Sequence, residues 1–183
     1  MRHLVEVVRT GQVQRVVGAE PNAALHARLR RNAQAVGLED GASYVVLEAG
    51  AEPASLIPAL HGAGLLADEG GGGVFDTIIC VKAMCSAPQD QLPQICATLQ
   101  TLLKPGGEFL FFEHVANDTD WFTMAYVWVL GWIWPVTMGN CHLDGTVDAV
   151  VERIAGWESV DVRNTREFEG WNVMRYVVGV CRK

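Results

Sequence analysis

What the chain has little of narrows the possibilities first. Only 19% of its 183 residues are charged, while 50% are hydrophobic. That balance excludes a disordered chain, which combines low hydrophobicity with high charge, and it provides for a sizeable core. Basic residues are the minority, 14 Lys and Arg against 21 Asp and Glu, for a formal net charge of -7. An acidic chain without a long run of Lys and Arg repels phosphate backbones, so no nucleic-acid partner is expected. The five cysteines (Cys80, Cys85, Cys96, Cys141 and Cys181) include no CxxC pair. Zinc sites are normally built from closely paired soft ligands, so these spacings predict no metal site. The odd count reads as free thiols of a reducing, intracellular compartment. Met1 to Gly11 carries Glu6 and Arg9 within a very short apolar run, which is not the pattern of a secretory signal. There is no internal repeat, and the length suits a single domain spanning residues 1–183.

What is present alternates short apolar runs with helical periodicity, the pattern of βαβ units around a parallel sheet. A short helical spacing at Leu4, Val7 and Val8 ends at Gly11, and Val13 to Ala19 reads as a buried strand. Asn22 is placed to cap a helix whose apolar face is Leu25, Leu29, Ala33 and Val36, with Gly37 as its stop. Tyr44 to Leu47 is the next strand, and Pro53 to His61 the next helix. The four glycines Gly70 to Gly73 resemble a phosphate loop only in composition. A phosphate loop needs a strand before it and a helix after it, and here the strand Phe75 to Val81 follows. A helix over Gln89 to Leu103, the turn Lys104-Pro105-Gly106-Gly107 and the strand Glu108 to His114 come next. A final helix, Thr146 to Ala155, precedes strands near Ser159 to Arg163 and Val173 to Val180. No helix fits between those two, so they are expected to pair as an antiparallel hairpin at the sheet edge.

Trp121 to Cys141 contains no Asp, Glu, Lys or Arg, and it carries Trp121, Trp128, Trp132 and Trp134. Its length and apolarity reach the threshold of about 18–20 residues for a membrane span. A span would put the final helix and hairpin across the bilayer from the sheet they complete. Central tryptophans together with Gly131 and Pro135 suit an interfacial or substrate-covering segment better. An internal lid or helix pair over about residues 119–141, a membrane-surface element and a span therefore remain as readings, in that order.

The chemistry sits at strand ends, because doubly wound sheets bind ligands beyond the carboxyl ends of their parallel strands. Glu20 ends the first such strand, and a carboxylate there accepts both hydroxyls of a ribose. Phe75-Asp76 opens a strand about 30 residues before Leu103-Lys104-Pro105-Gly106-Gly107, itself followed by an apolar strand. This combination resembles the class I S-adenosylmethionine-dependent methyltransferases. Val17-Gly18-Ala19-Glu20-Pro21-Asn22, Cys85-Ser86, Phe112-Glu113-His114-Val115 and Asn140-Cys141-His142-Leu143 narrow the resemblance to the methyltransferase type 11 group. Within it they are similar to the methyltransferase-like protein 7 branch, whose members include alkyl-thiol methyltransferases.

The resemblance implies an α/β, Rossmann-like doubly wound sheet with a C-terminal antiparallel hairpin. It implies S-adenosyl-L-methionine as cofactor and a small-molecule methyl acceptor. Glu20 with Pro21 would hold the ribose, Gly50 and Ala51 would pass the adenine with Glu48 or Glu52 near its amino group, and Val81 and Lys82 would pass the methionine end. Cys85 and His114 would border the acceptor, alongside Glu113. No residue is singled out as a catalytic base, because a thiol of pKa about 8.5 supplies some thiolate unaided. The family's first strand and its Gly-x-Gly loop have no counterpart before Glu20, so the sheet is expected to lack its first strand, between those at 13–19 and 75–81. Two functions follow: methyl transfer to a small molecule such as a thiol, or a non-catalytic remnant serving as a binding module. A nicotinamide oxidoreductase would need GxGxxG, which is missing. The compartment expected is the cytoplasm or the surface of an internal membrane, with contact through 121–141.

Overall fold

The structure, a computed structural model, describes residues 13–66, 73–117, 121–137, 141–165 and 175–183. The helix read at residues 4–10, most of the glycine run and the start of the strand read at Val173 lie outside the described residues. The chain divides into two compact units, Met1–Ala67 and Asp68–Lys183.

In the first unit, strand β1 (Val16–Ala19) pairs in parallel with β2 (Tyr44–Leu47), Val16 opposite Tyr44 and Ala19 opposite Leu47. Parallel neighbours need a crossover, and helix α1 (Ala23–Gln34) supplies it. The Asn22 side chain accepts the Ala24 N–H at 3.1 Å, satisfying one of the donors a helix start leaves open. Ala33, Leu38 and Tyr44 form a small buried cluster, with Val16, Leu29, Val36 and Val46 packed against it. Helix α2 (Pro53–Gly62) follows, with proline at its start and Leu56 and Leu60 buried.

The second unit holds a four-stranded sheet in the order β3-β4-β6-β5. Strand β3 (Phe75–Val81) runs parallel to β4 (Leu103–Val115), connected through helix α3 (Leu92–Leu102). Helix α4 (Trp121–Leu130), the single turn α5 (Trp134–Thr137) and helix α6 (Val147–Arg153) follow, then strands β5 (Ser159–Asn164) and β6 (Arg175–Arg182). β6 lies antiparallel to both β4 and β5, the hairpin expected from the sequence, with β5 at the edge. The turn expected at 104–107 is a bulge within a longer strand. Phe75 faces Leu103 and Thr77 already faces Glu108, so the four residues between loop out and Gly106 takes φ +77°, a backbone glycine adopts freely.

The core of this unit comes from Ile95, Cys96, Leu99 and Leu102 of α3, Phe109 and Phe111 of β4, Val147 and Val151 of α6, and Val177 and Cys181 of β6, all buried. Each large apolar side chain so buried contributes about 1.5–3 kcal/mol. Gly179 sits directly opposite Phe111 in the β4–β6 ladder, where any Cβ would overlap the phenyl ring. Among the described strands, β1, β2, β3 and β5 are each paired on one edge.

The tryptophan-rich stretch does not form one long helix. α4 and α5 have 10 and 4 residues, and no helix among the described residues is long and apolar enough to cross a membrane. Only Thr123 and Val127 of α4 are buried. Trp121, Trp128 and Trp132 are 73%, 68% and 72% exposed, so these rings are not packed into the core of the unit.

Candidate functional site

In the first unit the predicted cofactor residues fall at the carboxyl ends of paired parallel strands. Glu20 directly follows β1, and its N–H donates to the Leu47 carbonyl at 3.0 Å. Its Oε1 accepts the Asn22 N–H at 2.8 Å, and its own carbonyl meets His26 Nε2 at 2.8 Å. The half-buried carboxylate is thus held by one backbone N–H just past the exposed Pro21, while the Glu20 main chain is fixed by Leu47 and His26. Beyond β2, the Gly50 N–H donates to Ser55 Oγ at 3.0 Å. The Glu52 carboxylate lies over the Gly50 Cα so closely that a Cβ at residue 50 would overlap it. Gly50 and Ala51 thus form a turn with the flexible Glu52 carboxylate lying against it.

In the second unit Val81 ends β3 with its side chain 59% exposed, and Lys82 follows at φ +52°. A non-glycine residue there is uncommon, and the strain marks a sharp reversal of the chain. The Lys82 N–H donates to the Phe112 carbonyl at 2.8 Å, and its Nζ lies 4.7 Å from the Tyr176 ring centroid and 5.7 Å from that of Phe112.

The turn after Lys82 is held by a group to which sequence reasoning gave no such duty. Glu113 is completely buried. Its Oε1 accepts the N–H groups of Ala83 at 2.8 Å and Met84 at 3.0 Å, and Oε2 accepts that of Cys85 at 3.4 Å. One carboxylate thereby gathers three backbone donors of a short 3₁₀ turn, as buried charge requires. The signal was present in the alternation of β4, because Phe109, Phe111 and Glu113 share one face and an acid on an apolar face needs partners.

Cys85 and His114, read as neighbours of the acceptor, do come together, and Cys141 joins them. Cys141 Sγ lies 3.6 Å from Cys85 Sγ and 3.6 Å from His114 Nε2. His114 Nε2 is 2.6 Å from the His142 carbonyl, and the His142 N–H donates to the Cys85 carbonyl at 2.8 Å. Burial holds the His114 imidazole below its usual pKa, offset in part by the hydrogen bond to His142. Burial, followed by the nearby Glu113 charge, pushes the Cys85 thiol up to about 12. A cavity of about 460 Å³ opens beside this cluster, walled by Met124, Val127, Trp128, Trp132, His142 and Leu143 among others. Its wall is mainly apolar, with Asn117, His142 and Asp144 as polar members, as small-molecule sites commonly are.

No family model matches the chain. Among curated proteins it is 28% identical over 107 residues to human (Homo sapiens) thiol S-methyltransferase TMT1A, a match covering 56% of this chain and 41% of that protein. The matched part thus spans well under half of that relative's length. Among solved structures, an O-methyltransferase family protein from Burkholderia thailandensis superposes with TM-score 0.63 at 18% identity, over 98% of this chain and 47% of the other. A SAM-dependent methyltransferase from Methanosarcina mazei gives TM-score 0.58 at 13% identity, over 97% and 86%. With the strand order and parallel crossovers above, these likenesses establish the architecture: the chain has the Rossmann-like fold of the class I methyltransferases.

Proposed function

We propose that this chain binds S-adenosylmethionine and transfers its methyl group to a small, apolar nucleophile, a thiol in the first instance. The observation that carries the reading is the mainly apolar, tryptophan-walled cavity beside the tip of β4, in a chain whose sequence is akin to a thiol methyltransferase. When bound, the sulfonium supplies an electrophilic methyl carbon. The chain's part is to align the acceptor and to exclude water. In the first unit, Glu20 would accept the ribose hydroxyls and the Gly50–Ala51 turn would receive the adenine. The acceptor sulfur forms its new bond to carbon as the sulfonium–methyl bond breaks, and the thiol proton passes to solvent. No buried general base is required for that step. The protein would work inside the cell, in the cytoplasm or on an internal membrane surface.

The test is titration calorimetry of the purified chain with S-adenosylmethionine, followed by mass analysis of products formed with an alkyl thiol. Saturable binding and a thioether product are expected. Glu20→Gln should weaken binding about tenfold or more, since a hydrogen bond to a charged group is worth about 1.5–3 kcal/mol. Absence of heat at millimolar ligand overturns the reading and favours a non-catalytic binding module.

A further inference from the structure

Three ligating side chains from separate segments converge in the second unit: Cys85 in the turn after β3, His114 near the end of β4, and Cys141 ahead of α6. Their ligand atoms all lie within 4.8 Å of one another, two of the residues being buried and Cys141 half-buried. A tetrahedral zinc ion with Zn–S of about 2.3 Å and Zn–N of about 2.0–2.1 Å implies an S···S edge of about 3.8 Å and an S···N edge of about 3.6 Å. The chain sets Cys85 Sγ and Cys141 Sγ 3.6 Å apart, and His114 Nδ1 3.8 Å from Cys141 Sγ. The other imidazole nitrogen, Nε2, is already 2.6 Å from the His142 carbonyl. A ligating histidine usually donates its second N–H to such an oxygen, which sets tautomer and ring orientation. The His142 N–H to Cys85 carbonyl bond ties the segment bearing Cys141 to the turn bearing Cys85, so two of the three ligands are held together before any ion arrives.

From this geometry we propose that Cys85, Cys141 and His114 Nδ1 bind one zinc ion in a Cys₂His site whose fourth position is left to water or an exogenous thiol. Both sulfurs bind as thiolates, so each Zn²⁺ entering releases two thiol protons to the buffer, and nothing is oxidised or reduced. Three protein ligands with an open position is the pattern of reactive rather than purely structural zinc. The spacing of the cysteines hid the site, because the ligands are 29 and 27 residues apart along the chain, brought together by the β3–β4 pairing and the return of the chain at Cys141. The inference stands apart from methyl transfer, since it requires no adenosyl ligand.

The test uses the full chain, purified under a non-chelating reductant, stripped of metal and titrated with Co²⁺ and then Zn²⁺. One Co²⁺ per chain is expected, with thiolate-to-metal charge-transfer absorption and tetrahedral d–d bands that Zn²⁺ bleaches. Cys141→Ser, a change at a half-buried position, should abolish the charge-transfer signal from one sulfur. His114→Gln should weaken zinc binding by more than the roughly 10–100-fold that follows loss of an outer partner alone. Cys80→Ser should bind zinc as the parent does. Circular dichroism confirms that each variant is folded. The proposal is overturned if Co²⁺ binds without thiolate bands, if folded Cys141→Ser keeps the parent's zinc affinity, or if Cys85 and Cys141 are found as a disulfide under reductant. Calorimetry with S-adenosylmethionine on the same samples separates this outcome from failure of the methyl-transfer reading.

Discussion

Glu113 Oε1 accepts the backbone N–H of Met84 at 3.0 Å, so a carboxylate near the end of one strand holds the turn that leaves the neighbouring strand. Because Glu113 is fully buried, its charge depends on those backbone donors for solvation. Glu113→Ala strands the N–H groups of Ala83, Met84 and Cys85 together, and should destabilise the fold by about 3–5 kcal/mol. Glu113→Gln keeps one acceptor oxygen but turns an amide NH₂ toward a backbone donor, and should cost about 1.5–3 kcal/mol. Urea unfolding of the two variants checks the order. Equal losses would show that the retained shape and single acceptor of glutamine contribute nothing and that the carboxylate charge carries the whole effect.

Lys82 combines a strain and a compensation. Its left-handed backbone costs an L-residue about 1–2 kcal/mol, while its ammonium over the Tyr176 and Phe112 rings returns about 0.5–1 kcal/mol. Lys82→Met keeps the strain and loses the cation, and stability should fall by about 0.5–1 kcal/mol. Lys82→Gly loses the cation but adopts φ +52° without penalty, and should stay within about 0.5 kcal/mol of the parent. Chemical denaturation distinguishes the two. Equal destabilisation by both substitutions would mean that the left-handed turn is not strained.

Cys96 is one of four thiols, with Cys80, Cys85 and Cys181, whose raised pKa contributes to the alkaline limit of the fold. It is fully buried, and burial, ahead of the nearby Cys181 and Glu113, pushes its thiol from 9.0 up to about 12. The unfolded chain therefore releases this proton first as pH rises. The stability associated with it is complete below about pH 9 and is lost progressively between about 9 and 12, at up to about 1.4 kcal/mol per pH unit. Unfolding free energies measured across pH 8 to 11 should fall with a slope that Cys96→Ala makes shallower. An unchanged slope in that variant would assign the loss to other groups.

The fold was readable from the sequence wherever one local rule decided it. Asn22 caps, Gly37 terminates, and Phe75 to Val81 came out with the observed boundaries, because capping and strand periodicity act over a few residues. Lys104 to Gly107 reads as a simple turn and is a bulge instead, since the register between β3 and β4 depends on a partner strand and not on the four residues themselves. Glu20, Gly50 and Lys82 were legible as residues just beyond strands, because strand ends are local. The convergence of Cys85, His114 and Cys141 was not, because no periodicity encodes where a loop returns. The tryptophans between Trp121 and Trp134 were legible as unusual, but composition alone does not tell which of their faces meets solvent.

That exposed face leads to the last prediction. Trp121, Phe122, Tyr126, Val129, Ile133 and Val136 are all largely exposed, on a segment without a single charged residue. Soluble monomers rarely leave such a patch bare, and tryptophans at this density suit the boundary between lipid headgroups and acyl chains. We therefore expect the segment to rest on a bilayer surface. The overall charge of -7 means that hydrophobic insertion, not attraction to anionic lipid, must supply the affinity. Binding should accordingly be as strong on phosphatidylcholine vesicles as on vesicles containing phosphatidylserine, and should survive high salt, where screening removes electrostatic attraction. Co-sedimentation with a blue shift of tryptophan fluorescence measures it. The double substitution Trp121→Ser, Phe122→Ser leaves the cavity wall untouched and should reduce partitioning by about tenfold or more, each buried aromatic being worth about 1.5–3 kcal/mol. Partitioning that requires anionic lipid, or that the double substitution leaves unaltered, would show that this face meets something other than a bilayer.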